Sequence, residues 1–162
     1  MHSTRLVPLT LVALFIACAP AFADITAFIG STTTPTTRQV KGFAVGAGLL
    51  VVGFEFEYAD TREDVDEVEG APRLRTGMGN VLVQTPFPIA GMQFYFTTGG
   101  GGYRETLGPQ QETYFGLNTG GGVKVGLLGP VRARLDYRVF NLRGEPLHAT
   151  VQRLYAGLNL KF

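Results

Sequence analysis

The sequence predicts an all-β protein: an eight-stranded antiparallel transmembrane β-barrel preceded by a signal peptide. Three observations predict it. Apolar and polar side chains alternate with period two along most of the chain, turn signals cut it into about eight segments, and a short apolar leader stands before the first.

The leader reads as an export signal. Arg5 supplies a positive start, Leu6 to Ala17 an apolar run, and Ala21-Phe22-Ala23 an A-x-A cleavage site. At about 1.5 Å per helical residue the run is too short for a bilayer core about 30 Å thick. The expected division is a signal peptide over 1–23 and a barrel domain over 24–162, with the mature chain starting at Asp24. An uncleaved anchor and lipidation at Cys18, after the lipobox-like Phe15-Ile16-Ala17, are the alternatives. Cys18 is the single cysteine, so cleavage after Ala23 removes disulfides, thiolate catalysis and Cys-based metal sites together.

Charge and composition exclude further classes. Arg5 is the one charged residue of the leader, which leaves 13 basic and 13 acidic side chains behind it. Nucleic acid needs a basic footprint and is not an expected partner. All 22 glycines follow the leader. In helices each would cost about 1 kcal/mol relative to alanine, so strands are favoured.

The clearest strand is Val131 to Val139. Val131, Ala133, Leu135, Tyr137 and Val139 share one face, and Arg132, Arg134, Asp136 and Arg138 the other. Phe54-Glu55-Phe56-Glu57-Tyr58 repeats the arrangement with acids, and Met92 to Phe96 with milder polar residues. Coarse strands fall at 24–31, 38–47, 51–60, 74–84, 92–98, 112–125, 131–140 and 150–162. Short connections are expected near Gly48-Leu49-Leu50, at Pro86 to Ala90 and at Leu127 to Pro130. Long ones are expected over Thr32–Thr37, Thr61–Arg73, Gly99–Gln111 and Asn141–Ala149. Short turns at one end and long loops at the other suit a membrane barrel with both termini on the short-turn side. The first short turn is the weakest, because Phe43 to Phe54 contains no strong breaker.

At the C-terminus, Tyr155-x-Gly157-x-x-Leu160-x-Phe162 resembles the terminal strand of bacterial outer-membrane barrels, which ends in an aromatic residue. The span 24–162, and Asn118 to Val139 most of all, is similar to the small eight-stranded barrels of the opacity and porin-superfamily type. The resemblance implies location in the bacterial outer membrane and contact with its lipids. It also implies recognition of Tyr155, Gly157, Leu160 and Phe162 by the barrel-insertion machinery. No periplasmic peptidoglycan-binding domain is expected after Phe162.

An eight-stranded barrel has an interior just wide enough to be filled by side chains. Glu55, Glu57, Arg132, Arg134, Asp136 and Arg138, with Arg153 and Lys161, are expected to form a charge network that plugs it. Gly42, Gly46, Gly116, Gly120 and Gly122 would make room on the same face. On parity alone, Leu135→Arg should damage the barrel far more than Asp136→Asn.

Catalytic candidates are few. Behind the leader stand one serine, Ser31, and one histidine, His148, which with Glu145 would make a triad at the outer rim. Gly30-Ser31-Thr32 is not a nucleophile motif, and a loop hydroxyl and a solvated imidazole are the simpler reading. The acidic run Glu63, Asp64, Asp66, Glu67 and Glu69 lacks the glycine and final glutamate of an EF-hand and reads as a solvated loop. Gly99–Gly102 and Gly120–Gly122 lack the Lys-Ser/Thr of a phosphate loop. No cofactor or metal is expected. The expected role is non-enzymatic, structural or surface-interacting, through extracellular loops that meet an unspecified partner. A lipid-modifying hydrolase is the enzyme alternative, and a soluble lipocalin-like barrel, with polarity inverted, the binding alternative.

Overall fold

Side chains alternate across a strand, so a chain with an apolar residue at every second position presents one whole apolar face. The computed structural model describes residues 21–64 and 70–162, and these form eight strands. They are β1 (Ala21–Thr32), β2 (Arg38–Leu49), β3 (Val52–Thr61), β4 (Arg73–Gln84), β5 (Met92–Leu107), β6 (Gln110–Leu128), β7 (Val131–Leu142) and β8 (Thr150–Lys161). Each runs antiparallel to its neighbours, and β8 returns to pair with β1. Closure leaves no edge whose N–H and C=O groups would face hydrocarbon.

The polarity of the wall decides between membrane and water. In β3, Phe54 and Phe56 are 66% and 52% exposed, while Glu55 and Glu57 are 3% and 0% exposed. In β7, Leu135 and Tyr137 point out and Arg134, Asp136 and Arg138 point in. Ile25, Val45, Val81, Phe96 and Leu158 carry the apolar exterior around the barrel. An apolar band this continuous is stable against lipid and not against water. A lipocalin-like barrel would have the two faces exchanged, so that alternative is set aside.

At the end holding both termini the connections are Leu50–Val51, residues 85–91 and Gly129–Pro130. The first lacks a sequence breaker because Leu50 itself takes the left-handed conformation, φ 54°, where Gly129 takes φ 55° in the third. That conformation costs a non-glycine residue roughly 1–2 kcal/mol. At the other end residues 33–37 and 143–149 form loops, and residues 62–64 and 70–72 leave β3 and enter β4.

The long connection expected over Gly99–Gln111 is absent. β5 and β6 run on through it as a tall hairpin, turning at Gly108–Pro109. Gly101 faces inward against β4, where an added Cβ would lie 2.9 Å from the Cα of Met78. Glycine there marks a close approach of two backbones rather than a break in the strand.

β1 begins at Ala21, before the expected mature start. Ala23 and Phe162 exchange backbone hydrogen bonds, 3.0 and 2.9 Å. Cleavage after Ala23 would remove that pair and leave Asp24 opposite Lys161 and Gly46. Residues 1–20 of the leader lie outside the described residues.

Candidate functional site

In a closed ring of eight strands, β3 and β7 stand on opposite walls, so their inward residues meet across the lumen. β3 contributes Glu55 and Glu57; β7 contributes Arg134, Asp136 and Arg138. Arg134 grips Glu55 with two nitrogens, Nη1 to Oε2 at 2.5 Å and Nη2 to Oε1 at 3.2 Å. Its Nε donates to Oδ2 of Asp136 at 2.6 Å. Arg138 reaches Glu55 at 2.7 Å, Glu57 at 3.0 Å and Asp136 at 3.2 Å. Glycines opposite these side chains give them space: an alanine Cβ at Gly120 would lie 2.8 Å from the Cα of Arg138.

Neighbouring strands extend the cluster. Arg153 of β8 lies 3.4 Å from Glu57, and the Tyr155 hydroxyl donates to Glu57 at 2.5 Å. Tyr95 of β5 donates to Asp136 and accepts from Nε of Arg134. Lower down, Lys124 of β6 pairs with Asp24 of β1 at 2.6 Å. Four cations (Lys124, Arg134, Arg138, Arg153) therefore face four carboxylates (Asp24, Glu55, Glu57, Asp136), each side chain 3% exposed or less. Isolated charges in so dry a space would each cost several kcal/mol, roughly, and equal numbers in direct contact offset that cost.

Two residues expected in this network lie apart from it. Arg132 donates to Gln93 at 2.9 Å, and Lys161 is exposed at the lower mouth, 6.0 Å from the ring centre of Phe22. Both sit near strand ends, where a side chain of inward parity reaches the opening rather than the middle. Asp24, Lys124 and Tyr95 belong to the network without being among the lumen residues the sequence marks. Lys124 stands among glycines and valines, and its partner is a hundred residues away in the chain.

A second layer closes the lumen toward the loops. Leu74, Met78, Tyr103, Phe140, Leu142 and Val151 form a buried apolar cluster, and Arg153 lies 4.3 Å over the Phe140 ring. The lumen is thus not charged throughout. The sequence signal for this layer is Val139-Phe140, where β7 becomes apolar on both faces.

Above the apolar layer the loops are tied together. Arg38 donates to the carbonyls of Thr34 and Arg62, at 3.0 and 3.2 Å, and to that of Pro72. Nε2 of His148 lies 3.2 Å from the Gly70 carbonyl, Leu147 N donates to Glu105 at 3.2 Å, and Gly108 N to Glu63 at 2.9 Å. His148 therefore joins two loops. Ser31 faces outward on β1, paired with Gln39 and Leu154, and Glu145 is exposed, so the structure does not assemble the three as a triad.

Among the described residues no group of three His, Cys, Asp or Glu side chains is placed to hold a metal ion. Of the acidic run, Asp66, Glu67 and Glu69 lie outside the described residues. The four residues of the terminal pattern divide by face. Tyr155 and Gly157 point inward, Tyr155 stacking on Phe28 at 4.2 Å, while Leu160 and Phe162 point outward.

No family model matches the chain, and no curated protein matches it in sequence. Solved structures do match. Neisserial surface protein A (NspA) aligns with TM-score 0.63 at 16% identity, covering 88% of this chain and 97% of its own. The N-terminal β-barrel domain of Pseudomonas aeruginosa OprF aligns with TM-score 0.62 at 15% identity, covering 87% and 97%. The outer membrane enzyme PagL aligns with TM-score 0.53 at 12% identity, covering 85% and 98%. At these identities the likeness is one of fold, and that fold is the small eight-stranded outer-membrane β-barrel.

Proposed function

We propose that this chain is a non-enzymatic outer-membrane barrel with a closed lumen, acting at the cell surface through the cap of cross-tied loops. One observation carries the reading: the lumen is filled by a charge-balanced network and, above it, by an apolar layer. Such packing supports a barrel closed to solutes, and water-filled passages belong to wider barrels of roughly 16–18 strands. What remains for function is the outside, where Arg38 and His148 hold the loops in one shape.

Purified protein in planar bilayers is expected to show no large, steady channel. A stable high conductance would overturn the closed-lumen reading. Lipid analysis of outer membranes from cells carrying the protein tests the enzyme alternative, which PagL, an outer membrane enzyme of the same fold, keeps in view. Ser31→Ala and His148→Ala are expected to leave the lipid composition of the membrane unchanged. Loss of a deacylated lipid in either variant would favour the hydrolase.

The reading includes export behind a cleaved leader and insertion by the barrel-assembly machinery, with Leu160 and Phe162 as the outward part of the signal. Phe162 is 66% exposed at the lower rim, so it contributes little to the interior. Its deletion is expected to lower the amount of protein in the outer membrane several-fold while leaving the refolded barrel nearly as stable. Normal accumulation would remove Phe162 from the signal.

A further inference from the structure

The outer wall carries a second concentration of charge, separate from the lumen. Just above the outward aromatic pair Phe43 and Tyr58, ring centres 5.8 Å apart, the register places Lys41, Asp60, Arg75 and Arg104 side by side on β2 to β5. In the next row up, Arg73 of β4 binds Asp60 at 2.5 and 2.9 Å. Arg75 lies 3.8 Å from the same carboxylate, so one acid serves two arginines. Arg75 and Arg104 are direct cross-strand partners, and like charges placed directly opposite each other destabilise a sheet.

Two hollows meet at this row. A polar one of about 350 Å³ is lined by Lys41, Arg62 and Arg73 together with Gln39, Asp60 and Glu63. An apolar one of about 770 Å³ runs down the wall over Ala27 and Ala156, between Phe43, Tyr58 and Leu158. Lys41 and Asp60 line both, so the two adjoin. A cationic pocket at the level where the apolar band ends, adjoining an apolar groove below it, matches an amphiphile with an anionic head.

We infer that this face binds a membrane lipid whose head carries phosphate, with the phosphate among Lys41, Arg62 and Arg73 and an acyl chain in the groove over Ala27 and Ala156. Phosphate suits the site because guanidinium and ammonium groups give it charge-assisted hydrogen bonds. The inference rests on the membrane reading above and not on the closed lumen. An impermeable barrel without lipid preference would defeat this inference alone.

The test is native mass spectrometry of the full barrel in neutral detergent micelles doped with equal amounts of phosphatidic acid and phosphatidylcholine. The wild type is expected to retain phosphatidic acid about tenfold over phosphatidylcholine, the factor that one charge-assisted contact supplies. Lys41→Gln combined with Arg62→Gln is expected to bring the ratio near one. Ala156→Leu, which fills the groove floor, is expected to lower phosphatidic acid retention with the cations intact. These positions are on the outer surface, and heat-modifiable gel mobility shows that each variant is folded. Equal retention of both lipids by the wild type, or no change in the charge variant, would overturn the inference. Displacement of the lipid by millimolar inorganic phosphate would overturn the acyl-chain part and leave a simple phosphate site.

Discussion

Glu55→Gln is expected to destabilise the barrel by about 3–5 kcal/mol, the cost of removing one partner from a buried ion pair. Glu55 accepts from both nitrogens of Arg134 and from Arg138, and it is 3% exposed. Glutamine keeps the shape and loses the charge, so Arg134 is left with one carboxylate, Asp136, which it shares with Arg138, and Arg138 keeps Glu57 besides. The measurement is the denaturant midpoint of the folded barrel in micelles, read by heat-modifiable mobility. The internal control removes one charge of each sign: Glu57→Gln with Arg153→Gln. These two form an ion pair at 3.4 Å, and Arg153 has no other acid within ion-pair distance among the described residues. Their combined cost is expected to fall below the sum of the single ones by about 0.5–3 kcal/mol, the usual coupling of contacting groups. A loss under about 1 kcal/mol for Glu55→Gln would mean that water screens the lumen, since exposed ion pairs contribute no more than that.

Leu135→Arg is expected to cost about 2–4 kcal/mol, the price of an arginine facing lipid near the bilayer midplane. Leu135 is half exposed in the middle of β7, opposite Val123 and Ala156. Leu135→Phe, which keeps the face apolar, is expected to assemble normally. Folded barrel recovered from outer membranes gives the readout, and equal recovery of the Arg and Phe variants would mean that this face does not meet lipid. The comparison with Asp136→Asn changes once the structure is known. Parity alone makes Asp136 a lumen residue and so a tolerant one. In the structure it accepts from Arg134, Arg138 and Tyr95, so its loss belongs with that of Glu55. Arg132→Gln, bonded to Gln93 and outside the charge network, becomes the tolerant lumen change, expected to cost less than about 1 kcal/mol.

By itself the sequence determined the strand count, the antiparallel order and which residues share a face. These follow from local rules: side chains alternate along a strand, and glycine with proline turns the chain, as at Gly129–Pro130. The same rules place Glu55, Arg134 and Asp136 on polar faces without a partner for any of them. Three things were left to the tertiary structure. Glycine has two uses, and only the neighbouring strand shows that Gly99–Gly102 lie inside β5, against β4, rather than in a loop. Leu50 turns the chain in a conformation disfavoured for leucine, so nothing local marks that turn. The partners of the lumen charges depend on closure and register, which bring Asp24 to Lys124 and Glu55 to Arg138 across most of the chain. A pattern of period two specifies a face, and only the closed ring decides which faces meet.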